Sequence, residues 1–142
     1  MTSIEEHKKK IREHLEEIDD AIDAGIEKKP ITIGFHCSAC AIQLLELYLH
    51  LQQKLHLSVI IKHDWFKRPK AGQKKEVLIE RKLPVIFEKK EEIYDLIYTL
   101  EEERSSLMYG KSSKEQIQKV LDTFIKLKGI FKEAIHDDTL AL

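Results

Sequence analysis

Asparagine is absent from this chain, and glycine (5), proline (3), cysteine (2), methionine (2) and tryptophan (1) are scarce. So few turn-formers exclude a fold of many short strands, which needs Gly, Pro and Asn at its corners. Two cysteines, both in one apolar stretch, exclude a disulfide framework. The lack of asparagine beside 35% charged residues leans towards a thermophile. No sign of charge dominates either, because 24 Lys and Arg face 25 Asp and Glu. Net charge therefore selects neither nucleic acid nor a membrane surface, and any basic binding face must be local. The chain lacks a Gly-rich phosphate loop, an HExxH pair and a nucleophile elbow, so ordinary NTP-binding and hydrolase chemistry has no support. The first six residues are acidic and carry no apolar core of a secretory leader, which gives a cytoplasmic expectation.

Long hydrophobic runs are also missing, with one exception. Ile31 to Leu51 holds 14 apolar residues, cysteines included, and Glu46 is its only formal charge. A segment apolar nearly all round is a helix enclosed by others or a membrane span. His36, Gln43, Glu46 and His50 are costly in lipid and no second such run exists, so the enclosed helix is expected and no membrane partner. Pro30 suits its first turn, and it is expected to run to about Leu55.

Three amphipathic helices flank it. Ser3 and Glu6 have capping-box spacing, followed by Ile4, Ile11, Leu15, Ile18, Ile22 and Ile26. A third helix is expected from about Pro84, with Ile86, Ile93, Leu96, Ile97, Leu100 and Leu107 inward and Gly110 as its stop. The last is expected from Ser112, boxed with Glu115, with a stripe from Ile117 through Val120, Leu121, Phe124, Ile125 and Phe131 to Ile135. Residues 57–83 read as a long polar loop and 137–142 as a frayed tail. The expected fold is all-α: one domain over 1–142, an up-down bundle of four long helices. Covering both faces of the central helix is hard with four helices, so a homodimer is expected.

Candidate chemistry is sparse. Cys37 and Cys40 have redox spacing beside His36, but they lie inside an apolar helix with no strand before it. They read as small buried thiols. A zinc site would need two further ligands, and His50, His56 and His63 are scattered singly, so no metal and no cofactor are expected. His7 and His14 read as solvated surface histidines. The 62–75 stretch gathers seven basic residues, His63 included, around an adjacent Trp65-Phe66 pair. Lys67, Arg68 and Lys70 could neutralise phosphates while Trp65 stacks on a base. A solvated loop pinned to the core by its aromatics is the plainer alternative. Arg104 falls on the inner side of the third helix, where a pure core pattern would place an apolar residue.

These features resemble the HEPN superfamily. The resemblance rests on three stretches: the small-residue-then-leucine helix from Phe35 to Leu49, the polar segment from Glu101 to Gly110, and the helix that follows after a short turn. It implies a dimeric all-α bundle with two antiparallel helix pairs. In active members an Arg, four to six residues and a His carry out metal-independent RNA cleavage. Arg104 matches the Arg, but after four intervening residues stands Tyr109. An imidazole exchanges protons near neutral pH, whereas a phenol with its ordinary pKa of about 10 largely does not. The resemblance therefore implies binding of RNA or a nucleotide through Arg104, Tyr109 and Lys111, with weak or no catalysis, beside a nucleotidyltransferase or in a toxin-antitoxin or defence system. A metal-independent endoribonuclease and a ligand-free dimerising subunit are the alternatives.

Overall fold

The computed structural model describes residues 3–68, 78–140 and 142, and among them every regular element is helical. Five α-helices follow one another: α1 (Ile4–Ala24), α2 (Pro30–Leu51), the short α3 (Leu78–Lys82), α4 (Lys90–Tyr109) and α5 (Lys114–Ile135). The four long ones form the bundle, and α3 is an addition within the segment read as a loop.

Most local signals act as their chemistry dictates. Ser3 caps α1 by accepting the Glu6 N–H, and Pro30 opens α2. Gly25, at φ +107°, makes the turn between them, in backbone space that a side chain would oppose. Gly110 closes α4. The second capping box sits one residue later than expected, with Ser113 and Gln116 as reciprocal partners instead of Ser112 and Glu115.

α2 lies at the centre with α1, α4 and α5 packed on it. Contacts fix the directions. Gly34 of α2 meets Leu107 of α4, and Ser38 donates to Glu101, so α2 and α4 run antiparallel. Lys8 at the start of α1 pairs with Asp137 after α5 at 2.7 Å, and Lys114 at the start of α5 approaches Glu27 at 3.9 Å. α1 and α5 are therefore antiparallel too. Three neighbours supply within one chain the cover that α2 needs: Ile33, Cys37, Cys40, Ala41, Leu44, Leu45, Leu47 and Leu49 are all fully enclosed. By length and composition α2 could cross a membrane, yet most of that stretch is buried inside the bundle.

Several boundaries differ from the sequence expectation. α2 ends at Leu51, since Gln53 turns into left-handed backbone at φ 56°. The helix expected from Pro84 starts only at Lys90, after Lys89 at φ 59°. Residues 83–87 are instead irregular, with the Val85 N–H donating to Leu83 O at 2.9 Å across Pro84, and they let Phe87 reach the core and meet Tyr48 and Tyr94 edge-on, at 5.8 and 5.7 Å between ring centres. Ile86, expected to be buried, is 85% exposed. Lys90 Nζ holds this turn by donating to Val85 O at 2.5 Å and pairing with Glu80 at 2.7 Å. Within the tail, Asp138–Leu140 form a 3-10 turn with Leu140 fully buried, and Lys8 holds Asp137, whose carboxyl pKa drops to about 2 through that bond.

Candidate functional site

The segment before α3 folds back across α4 because Phe66 is an anchor. Its ring is buried against Tyr94 and Tyr98, at 5.2 and 5.8 Å between centres and steeply inclined to both. The Trp65-Phe66 pair thus splits: Phe66 enters the core, and Trp65 is half-buried against it rather than presented as an open stacking platform. Anchoring Phe66 places His63, Asp64, Lys67 and Arg68 along the last turns of α4. A cleft of about 480 Å³ opens there, lined on the helix side by Glu101, Glu102, Arg104 and Ser105.

The two basic candidates of the sequence therefore meet in one place, with unequal availability. Arg68 is engaged: its Nε donates to Glu102, its NH1 to Asp95 at 2.7 Å and its NH2 to Thr99 at 3.2 Å, with the guanidinium over the Tyr98 ring. These bonds raise its pKa, Asp95 contributing most. Glu101 is engaged as well, accepting from Ser38 and facing His63 Nδ1 at 2.8 Å. Arg104 makes no ion pair among the described residues; its guanidinium lies 5.8 Å from the Phe35 ring centre, on α2. Lys67 is exposed. The cleft can thus offer Arg104 and Lys67 to an anion, with Glu101 and Glu102 held by other partners and the Asp64 carboxylate on the opposite wall as a competing charge.

Tyr109 and Lys111 stand apart from this lining. Tyr109 is 81% exposed, and five positions on an α-helix turn it roughly 140° from Arg104. Within one chain the two do not share a face. Lys111 is exposed beyond the helix end, and Lys70 lies outside the described residues. Cys37 and Cys40 are free and buried, and burial drives both thiols upward, Cys40 to about 12, which leaves them unreactive at neutral pH.

The histidines of α1 are a correction. His7 is 1% exposed, because it sits three residues after Ile4 and four before Ile11, on the buried stripe. That spacing was the available signal. Its Nδ1 meets Gln43 Oε1 at 2.7 Å, and its Nε2 lies 3.7 Å from Glu46 Oε2. The His50 ring centre is 4.9 Å from that of His7. Glu46, 3% exposed, is pushed up to about 7 by burial, although the Ile61 N–H bond pulls the other way. Burial likewise lowers the pKa of His7.

His14 is half-buried, with its Nδ1 2.9 Å from His36 Nδ1. Burial, then the neighbouring His36 charge, lowers its pKa from the ordinary 6.5. The unfolded chain then binds the proton first, so stability is lost as pH falls from 6.5 towards the lower folded value and is unaffected above it. His7 acts in the same sense and Glu46 in the opposite one, so the informative comparison is between chains. Thermal melts at about pH 7.5 and about pH 5 should show a smaller acid loss in His14→Gln than in the unaltered protein. Equal losses would remove His14 as a cause.

No protein-family model, no curated protein and no solved structure matches this chain. Its class is therefore stated from its own geometry, an all-α helical bundle with a mixed-charge cleft at the end of α4.

Proposed function

We propose that this protein is a HEPN-like homodimer that binds RNA or a nucleotide through phosphate contacts in the α4 cleft, with weak or no catalysis. The observation that carries the reading is the convergence of Arg104 and Lys67 on one cleft. A guanidinium with no carboxylate partner among the described residues is suited to holding a phosphate bidentately. The separation of Tyr109 from Arg104, and the poor proton exchange of a phenol, favour binding over cleavage. Exposed Ile31 (57%) and Phe35 (37%) leave an apolar step on α2 beside Arg104, where a second copy could pack. A nucleotidyltransferase or defence partner rests on the family resemblance alone.

The test is a salt titration of labelled single-stranded RNA. Binding should weaken steeply with salt, and Arg104→Ala should cost about tenfold, ~1.4 kcal/mol. The same change should flatten the salt slope by about 0.7 for each phosphate that is no longer neutralised. Affinity that survives Arg104→Ala but vanishes on neutralising Lys67, Arg68 and Lys70 moves the site to the loop. Absence of salt-dependent binding leaves the structural subunit, and RNA cleavage abolished by Arg104→Ala selects the ribonuclease. A solution mass near 16.6 kDa would sink the dimer.

A further inference from the structure

We propose that His7, Glu46 and His50 form a buried binding site for a divalent transition metal of the zinc class, formed of two imidazole nitrogens and one carboxylate. All three side chains are buried, and one ligand atom from each lies within 4.8 Å of the others. Glu46 and His50 are one turn apart on the same face of α2, and His7 reaches them from α1.

Hydrogen bonding on the far side of each ring supports the assignment. His7 Nδ1 faces the amide oxygen of Gln43 at 2.7 Å, and His50 Nδ1 faces the backbone oxygen of Leu55 at 3.0 Å. Both partners are acceptors, so each Nδ1 carries the proton and each Nε2 presents a lone pair. His7 Nε2 and His50 Nε2 are buried without a hydrogen-bond partner among the described residues. These two lone pairs, beside a buried Glu46 carboxyl group that accepts the Ile61 N–H, form a cluster of acceptors with no positive centre among the described residues. A metal ion supplies one. Imidazoles whose second nitrogen donates to a carbonyl are the usual arrangement around a bound metal, since that bond fixes tautomer and ring orientation.

Size agrees with the charge argument. Ligand bonds of about 2.0–2.2 Å in a tetrahedral zinc site put neighbouring donor atoms about 3.3–3.6 Å apart. The His7–Glu46 pair stands at 3.7 Å. Side-chain adjustments on the order of 1 Å would close the set around an ion of that size. Imidazole with carboxylate suits Zn, Co, Fe and Mn, with a fourth position left for water. Cys40, the nearer of the two cysteines on α2, lies six residues before Glu46, roughly 9 Å along the helix and on another face, so thiolate does not enter this set. The α4 cleft is distinct as well, since Arg104 contacts Phe35, roughly 16 Å along α2 from Glu46.

The test begins with full-length protein stripped by chelator and titrated with zinc and, separately, cobalt. One equivalent should bind, the melting temperature should rise, and cobalt should give weak visible bands without the intense thiolate charge-transfer absorption. His50→Gln and Glu46→Gln should each weaken zinc binding by tenfold or more, while His56→Gln, on an exposed histidine, should leave it unchanged. Circular dichroism establishes whether each variant folds. X-ray absorption on the zinc-loaded unaltered chain is independent of the variants and should give nitrogen and oxygen neighbours only. Failure of the unaltered chain to bind one equivalent, sulfur in the coordination shell, or binding that folded His50→Gln and Glu46→Gln retain would each overturn the proposal.

Discussion

Phe66→Ala is expected to lower stability by about 3–5 kcal/mol, the range for removing a fully buried aromatic ring. Phe66 is 1% exposed and packs edge-on against both Tyr94 and Tyr98. Its removal takes away the transfer energy of the ring and leaves a cavity that helices α2 and α4 cannot close without moving. A second consequence is local. Phe66 is a wall of the α4 cleft, and the residues on either side of it, Trp65 and Lys67, are held in place through it. Chemical denaturation should show the loss as a lower midpoint, and, on the proposed function, salt-dependent RNA binding should weaken even where the variant is fully folded. A cost below about 1 kcal/mol would mean the 57–68 segment packs loosely and the cleft is not a fixed feature.

The second large effect concerns Gly34, where α2 closely approaches Leu107 of α4. A Cβ there would lie 2.9 Å from Leu107 Cβ and 3.3 Å from Leu107 Cδ1. Two opposing terms decide the outcome. Alanine is favoured over glycine in a helix interior by up to about 1 kcal/mol. Against this, the obstructing atom is a Cβ, fixed to the α4 backbone, so no rotamer change relieves the clash and the helices must separate. Overpacking of this kind costs about 1–3 kcal/mol. Gly34→Ala should therefore be destabilising on balance and Gly34→Val clearly more so, because β-branching adds a second obstruction. Arg104 lies one turn before Leu107 on α4, so the displaced helix should also disturb its place beside Phe35. A stabilised Gly34→Ala protein in urea unfolding would show that the α2–α4 spacing gives way freely.

Much of the fold was legible in the sequence because it depends on local chemistry. The caps at Ser3 and Pro30, the stop at Gly110 and most of the inward stripes of α1, α4 and α5 follow from hydrogen-bond demand at helix ends and the 3.6-residue period, whereas Ile22 and Ile125, expected inward, are 41% and 54% exposed. The enclosure of α2 follows from its nearly uniform hydrophobicity, and the inert, buried character of Cys37 and Cys40 follows with it. What failed was also physical. Pro84 is as acceptable in a turn as at a helix start, and only the core contacts of Phe87 with Tyr48 and Tyr94 chose the former. The short α3 within 57–83 carries too few residues for periodicity to announce it.

The candidate sites divide along the same line. Arg104 was recognisable as a charge on an inward face, and Lys67 as part of a basic loop, but their meeting depends on Phe66 finding the pocket between Tyr94 and Tyr98. His7 reads as solvated beside its charged neighbours, although its register between Ile4 and Ile11 places it inward. Its association with Glu46 and His50, about 40 positions away in the chain, could not be read from sequence. By itself the sequence determined that this is an all-α bundle built on the Ile31–Leu51 helix, because burial of that segment is a matter of composition. Tertiary structure alone decided which polar side chains share a cleft or a buried cluster, because those neighbours are set by helix packing, and no local spacing encodes it.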